Sequence, residues 1–135
     1  MATRSRIGYE TASGKIKTIY CHWDGYPEGV GKILQEKYTN PTDVEELIKL
    51  GDISSLRETL EETEKECYEK EKECREDLIK EYEDIGDVLN NLGKCGEEYT
   101  YIFMEDYSGV LRWTVIETPY PQTLEDYLKR SQDVA

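Results

Sequence analysis

The sequence has little of what membrane-spanning, secreted or nucleic-acid-coating proteins need. No apolar run approaches the roughly 20 residues of a membrane span, and no apolar stretch follows the first positive charge, at Arg4. Only 17 basic residues stand against 30 acidic ones, a net charge of −13, so the chain has no excess of cations with which to coat phosphates. We expect no membrane partner and no polymeric nucleic-acid partner.

Patterns for metal binding and for disulfides are also scarce. The one histidine, His22, and the four cysteines form no paired Cys-x-x-Cys knuckles. Cys67 and Cys74 are seven residues apart, which on a helix separates them by roughly 10 Å, too far for a disulfide. We therefore expect packed cysteines, no metal and no cofactor.

Catalytic signatures are missing as well. The sequence contains no Gly-x-Ser-x-Gly elbow and no glycine-rich phosphate loop. Cys21 and His22 are adjacent, but neighbours on a strand point to opposite faces, so they do not form a nucleophile and its base. Carboxylates are too numerous for one pair to be singled out, and we expect a protein that is not an enzyme.

The order of β-prone and helix-prone runs predicts a single α+β domain over residues 1–135. Two antiparallel hairpins, over residues 6–20 and 98–117, form a small sheet with short helices packed on one face. The short helices are predicted at 32–38, after a loop over 21–31, and at 42–50, where Thr42-x-x-Glu45 is a capping box and Gly51 the terminal glycine. Pro119 and Pro121 precede a terminal helix from Thr123. The first hairpin, the loop and the two short helices cover 4–57, an arm covers 58–92, and the second hairpin with the terminal helix covers 97–135.

The arm is predicted to be one long acidic helix. Ser55-x-x-Glu58 is a second capping box, and no glycine or proline interrupts residues 56–85, which allows a helix of roughly 45 Å. Residues 58–84 hold 13 acids and 5 bases, a net charge of −8. The apolar positions follow coiled-coil spacing and predict self-association: Leu56, Leu60, Cys67, Cys74, Leu78, Tyr82, Ile85, Leu89 and Leu92.

Two regions concentrate aromatic residues. In the second hairpin, Tyr99, Tyr101 and Phe103 share one face, as do Leu111, Trp113 and Val115, so the hairpin presents an aromatic face to a core or a ligand. The loop over 21–31 combines aromatic rings with three glycines, and it is equally typical of a ligand-binding loop and of a loop that plugs the core.

Several stretches of the chain resemble one known family, the phage Thoeris anti-defence sponges of the first type. The similar stretches are Arg4-Ser5-Arg6-Ile7-Gly8, Ile19-Tyr20-Cys21-His22-Trp23-Asp24-Gly25-Tyr26-Pro27, Gly31-x-x-Leu34 and Gly51-Asp52-Ile53-Ser54, with weaker similarity at Glu98-Tyr99-Thr100-Tyr101 and Trp113.

The resemblance implies a non-enzymatic phage protein in the cytoplasm of an infected bacterium. Such a protein binds and sequesters glycocyclic ADP-ribose, the cyclic ADP-ribose isomer that a bacterial TIR-domain protein makes on infection, so that the immune effector is not activated. Some members of the family also hold cyclic di- or trinucleotides of CBASS-type immunity at a second site. The resemblance further implies a homodimer or a hexamer (trimer of dimers), with pockets at subunit interfaces.

The chemistry of this ligand and the resemblance together name candidate residues. A pyrophosphate favours arginine, and adenine favours an aromatic platform. Arg57 follows the matched run at a predicted helix N-terminus, which itself favours anions, and is the first candidate. The other candidates for this pocket are Tyr82, Asn90, Asn91, Tyr107, Arg112 and Trp113. Candidates for a second nucleotide site are Arg6, His22, Trp23 and Tyr26, which otherwise hold the fold.

Each candidate has a structural alternative. Arg57 would be one half of a surface ion pair, Tyr82 part of a helical seam, and Asn90 and Asn91 the end of a helix. At the level of function, the alternative is a dimeric adaptor or structural protein that uses the acidic arm and binds no small ligand. A nucleotide hydrolase or cyclase ranks last, because no acid and base pair can be located.

Overall fold

The computed structural model describes residues 3–67, 79–94, 96–106, 108–116 and 122–123. Within these ranges, six strands form one open sheet in the order β3-β2-β1-β4-β5-β6. The strands are β1 (Ser5–Glu10), β2 (Ile16–Cys21), β3 (Lys80–Tyr82), β4 (Tyr99–Glu105), β5 (Leu111–Ile116) and β6 (Gln122–Thr123). The helices are α1 (Lys32–Lys37), which continues a π-helical turn over Pro27–Gly31, α2 (Pro41–Lys49), α3 (Leu60–Glu64) and α4 (Ile85–Asn90).

Both predicted hairpins are present, and they lie side by side. β1 pairs antiparallel with β2, with Ser5 opposite Cys21, and β4 pairs antiparallel with β5, with Thr100 opposite Ile116. β1 and β4 run parallel, so the two hairpins join through their first strands. The α+β class is therefore confirmed, and the sheet is mixed.

Helices cover both faces of the sheet, so the prediction that they lie on one face is wrong. Alternate residues of a strand point to opposite faces. On the first face, strand residues such as Ile7, Ile19 and Tyr101 pack with Leu34 of α1 and Leu47 of α2. On the second face, strand residues pack with Val88 of α4; these strand residues are Ile16, Tyr82, Ile102 and Ile116.

Of the two sequence features predicted to bound α2, the terminal glycine is confirmed and the capping box is wrong. Gly51 follows the helix with a φ of +77°, as a terminal glycine should. The cap at the start is Asn40 and not Thr42, because the Asn40 side chain accepts from Thr42 N at 2.8 Å. Pro41 is the first helical residue, where its lack of an N–H costs nothing.

The prediction of a single helix over residues 56–85 is wrong for the residues of this segment that the structure describes, which form α3 and β3. α3 begins after Thr59, whose hydroxyl accepts from Glu62 N at 3.1 Å. Ser54 N then donates to Glu66 O at 2.7 Å, and Ile53 pairs with Cys67, which returns the chain to the sheet edge.

The apolar positions of the predicted arm explain this outcome. Leu56, Cys67 and Tyr82 are all at most 6% exposed and pack into the two cores. The sheet buries these residues more completely than a projecting helix would, and apolar burial is the larger free-energy term. The remainder of the predicted arm, residues 68–78, and the predicted terminal helix beyond Thr123 lie outside the described residues.

Candidate functional site

The loop between β2 and α1 presents two aromatic rings to solvent. Trp23 is 45% exposed and Tyr26 is 39% exposed. A loop that plugged the core would bury these rings, so that alternative is wrong for both residues. Large apolar rings are stabilised by burial, so an exposed aromatic pair on a loop is typical of a surface that binds a ligand or a partner.

Backbone contacts hold this loop against the start of the chain. Gly25 N donates to Thr3 O at 2.8 Å, and Val30 N donates to Asp24 O at 2.9 Å. The buried Tyr101 hydroxyl donates to Gly25 O at 2.7 Å. A Cβ on Gly25 would lie 2.7 Å from Thr3 O, so only glycine allows this close approach. The exposed rings are therefore carried on a fixed support.

The run 51–54 supports the same loop from the sheet edge. Ile53 N donates to Tyr20 O at 2.8 Å, and Trp23 N donates to Ser54 O at 2.9 Å. The Asp52 carboxylate accepts from Tyr20 N at 2.8 Å. Burial raises the pKa of Asp52 above 3.8, while the hydrogen bond from Tyr20 and the charge of Arg6 act in the opposite direction. Two of the stretches that carry the family resemblance are thus in direct contact.

His22 is held between two aromatic neighbours. Its Nδ1 lies 2.8 Å from the Tyr20 hydroxyl, and its ring meets the Trp23 ring edge-on at 4.8 Å. Cys21 points away into the core, where burial raises the pKa of its thiol to about 12. Cys21 is therefore a packed cysteine, as expected, and His22 serves to orient the Trp23 ring.

Arg6 serves the fold. Its side chain is 6% exposed, its Nη1 donates to Thr18 Oγ1 at 3.0 Å, and its Nε lies 3.5 Å from Glu97 Oε2. A buried charge of this kind requires its partner, since removal of one member leaves the other uncompensated. Of the four residues predicted for a second nucleotide site, the structure brings His22, Trp23 and Tyr26 to one exposed loop and places Arg6 beneath the surface.

Arg57 does not lie at a helix N-terminus. It precedes the α3 cap Thr59 by two residues, and its Nη2 lies 3.3 Å from Glu66 Oε1. The Tyr38 hydroxyl donates to Arg57 O at 3.0 Å, which fixes the backbone here. The ion-pair alternative is therefore present, and Glu66 would compete with an anionic ligand for the guanidinium.

Two aromatic residues of the first predicted pocket, Tyr82 and Trp113, do not meet within the described part of one chain. Tyr82 is 4% exposed and Trp113 is 3% exposed, in cores on opposite faces of the sheet. Asn90 is exposed at the end of α4, and the amide of Asn91 donates to Asp87 O at 2.6 Å. Tyr107 lies outside the described residues. Stacking of a ligand on Tyr82 or Trp113 stays a prediction, and it would require the ring to leave its core.

Arg112 borders a shallow depression of about 230 Å³. Its Nε lies 2.9 Å from Asp106 Oδ2, and two exposed apolar residues, Val110 and Leu111, lie beside it. The volume is smaller than the roughly 300–1,000 Å³ of pockets that enclose small molecules. This depression in one chain would not enclose a cyclic dinucleotide.

Arg4 is the residue that sequence reasoning did not single out. It is exposed beside the aromatic loop, because Gly25 packs against the backbone of residues 3–5. One feature of the sequence could have pointed to Arg4: residues 1–27 carry a net charge of +2, in a chain of net charge −13. Its position opposite His22 depends on the strand register, which no local pattern supplies.

No protein-family model, no curated protein and no solved structure matches this chain. The resemblance to the Thoeris anti-defence sponges therefore rests on the residues quoted from the sequence and stays a prediction. Within the described ranges, no helix is long and apolar enough to cross a membrane.

Proposed function

We propose that the protein is a non-enzymatic sponge that binds and sequesters glycocyclic ADP-ribose or a related cyclic nucleotide. By this proposal a phage makes it in the cytoplasm of an infected bacterium, where it keeps the product of TIR-domain Thoeris immunity from the effector. Sequestration of the cyclic oligonucleotides of CBASS-type immunity is a second part of the same proposal.

The observation that carries the proposal is the exposure of Trp23 and Tyr26 on a fixed loop. Aromatic side chains bind nucleobases by stacking, at about 1–3 kcal/mol per base. The support holds these rings in solvent before any ligand arrives, which lowers the ordering cost of binding. The same loop carries seven of the nine residues of the longest stretch that resembles the sponge family, Ile19–Pro27.

A ligand of this size needs more surface than the loop alone offers. A site completed by a second copy of the chain would enclose it, as the family resemblance implies for a dimer or a hexamer. The helical-arm adaptor has less support, because Leu56, Cys67 and Tyr82, which its seam would need, are buried within the chain.

The test is isothermal titration of the purified full chain with glycocyclic ADP-ribose, with linear ADP-ribose and a cyclic trinucleotide as comparisons. We expect tight binding of a cyclic ligand and its recovery unaltered after heat denaturation, where an enzyme would release product. Trp23→Ala should weaken binding by roughly 5- to 150-fold. Glu46→Ala is the control, because Glu46 is an exposed side chain of α2 that belongs neither to the aromatic loop nor to the depression beside Arg112. Absence of heat with every nucleotide, from folded protein, would overturn the proposal.

A further inference from the structure

Arg4 and His22 directly flank the last pair of the β1–β2 ladder, at one end of the sheet. Ser5 is opposite Cys21 in the antiparallel β1–β2 ladder, so the next position of the same register sets Arg4 opposite His22. The β1–β4 ladder also continues to this position, because Glu98 N donates to Arg4 O at 2.8 Å. Residues two apart on a strand point to the same face, so Arg4 shares the face of Arg6, and the opposite positions on that face are Tyr20 and His22.

A glycine accommodates the Arg4 side chain. A Cβ on Gly96 would lie 2.7 Å from Arg4 Nη1 and 3.6 Å from its Cδ. Gly96 also has a φ of +83°, a conformation that side-chain-bearing residues rarely adopt. The guanidinium thus rests on backbone, which restricts a long side chain that would otherwise be free to move.

Arg4 differs from the other arginines that the structure describes. Arg6, Arg57 and Arg112 each contact a carboxylate within 4.0 Å. Arg4 forms no such ion pair with any residue in the described ranges, although acids outnumber bases 30 to 17 in the chain.

Two acids of this corner are already engaged, and two others, Asp24 and Glu98, are exposed. Glu97 lies 3.5 Å from Arg6 Nε, and Asp52 accepts from Tyr20 N at 2.8 Å. The charge of Arg4 reaches the Tyr20 hydroxyl, where it partly offsets the rise in the Tyr20 pKa that burial causes. An exposed guanidinium that forms no ion pair within the described ranges suits an external anion.

His22 adds a second polar group. Its Nδ1 is used by the Tyr20 hydroxyl at 2.8 Å, and its ring is fixed against Trp23. Nε2 then remains for a ligand, since it has no hydrogen bond to a described residue. The exposed Arg4 thus comes from the segment before β1, and His22 and the exposed Trp23 come from the loop after β2.

We infer that Arg4 and His22 bind the phosphate groups of a nucleotide whose base stacks on Trp23. This inference deepens the proposed function and rests on it for the identity of the nucleotide. It also makes Arg4, and not Arg57, the arginine that anchors the pyrophosphate.

The experiment is a titration of the full chain with inorganic pyrophosphate and, separately, with glycocyclic ADP-ribose. It compares the unmodified chain with Arg4→Gln, Arg4→Lys and Lys37→Gln. Lys37 is an exposed cation at the end of α1 and is the matched control for the loss of one positive charge. Circular dichroism checks that each variant is folded.

We expect Arg4→Gln to weaken both ligands at least tenfold, because a hydrogen-bonded charge pair is lost. Arg4→Lys should recover part of the loss, since it keeps the charge without the two-pronged geometry. Lys37→Gln should change either affinity less than twofold.

The outcomes separate the two proposals. Equal binding of the cyclic nucleotide by the unmodified chain and Arg4→Gln would overturn the role of Arg4 and leave the sponge standing. If pyrophosphate binds in an Arg4-dependent way and no cyclic nucleotide binds, the phosphate-binding role of Arg4 is supported and the proposed sequestration of cyclic nucleotides is overturned. Failure of both ligands to bind would overturn both.

Discussion

The Asp106 carboxylate organises the turn between β4 and β5. Its Oδ1 accepts from Ser108 N at 2.8 Å, from Ser108 Oγ at 2.6 Å and from Val110 N at 3.1 Å, and its Oδ2 meets Arg112. These bonds favour the ionised form, and the hydrogen bond from Ser108 is the largest cause of a pKa below 3.8.

A lowered pKa makes a prediction about acid stability. The charged carboxylate stabilises the fold above the unfolded-state pKa near 3.8, and this contribution is lost as pH falls through the lower folded pKa. Carboxyl NMR titration should place Asp106 below 3.8, and Ser108→Ala should move it back towards that value. Titration of Asp106 at or above 3.8 in the unmodified chain would contradict the turn geometry.

Tyr101 links the core to the aromatic loop through one hydrogen bond. Tyr101→Phe would leave the buried Gly25 carbonyl without this donor, and we expect a loss of about 1–3 kcal/mol in the free energy of unfolding. Urea denaturation measures it, and amide exchange at Gly25 should accelerate. Tyr9→Phe is the control, because the Tyr9 hydroxyl has no hydrogen bond to another described residue; its cost should stay under about 0.5 kcal/mol. Equal costs would remove the proposed link.

At the scale of elements, the start of α2 distinguishes a sequence signal from the interaction that forms. Asn40→Ala should cost about 1 kcal/mol, because the cap of Thr42 N is lost. Thr42→Ala should stay within about 0.5 kcal/mol, since Thr42 is exposed and is not the cap. Chemical denaturation of both variants decides between them. A larger cost for Thr42→Ala would restore the capping box that the spacing predicted.

The elements that the sequence predicts well are those with local causes. Each hairpin joins an alternating run to its neighbour across a short turn, and both strands and turns are present. The parallel pairing of β1 with β4 joins residues more than 90 positions apart, such as Ser5 and Tyr99. No local pattern encodes such a pairing. The same holds for β3, which the sequence predicts as helix and whose sheet partner, β2, lies more than 60 positions away.

At the scale of the whole molecule, the same non-local packing explains why one of the two predicted sites was easier to recognise from the sequence than the other. The aromatic loop was recognisable because its residues are consecutive in the sequence. Whether Trp23 is exposed and Trp113 buried depends on how distant strands pack, as does the position of Arg4 beside His22. A set of candidates drawn from several segments was therefore less secure than one drawn from a single loop.

Assembly provides the last prediction. The aromatic loop of one chain does not enclose a cyclic nucleotide, so completion of the site by a second copy would link binding to association. A ligand that binds only the assembled form stabilises it by RT ln(1 + [L]/Kd), about 2.7 kcal/mol at 100 times Kd. With glycocyclic ADP-ribose at 100 times its Kd, the assembly should therefore persist to a protein concentration roughly 100-fold lower than without ligand. Mass photometry of a dilution series measures this shift.

Net charge gives this prediction an independent check. Copies of net charge −13 repel one another, so added salt should strengthen association. The same salt should weaken the contact of an anionic ligand with Arg4, because that contact is an exposed charge pair. Raising the salt concentration should thus strengthen assembly, as followed by light scattering without ligand. It should weaken the ligand affinity of the assembled protein, as followed by titration at a protein concentration that keeps it assembled. A monomer that binds the ligand with full affinity at the lowest concentration would contradict the shared site and place the whole ligand on one chain.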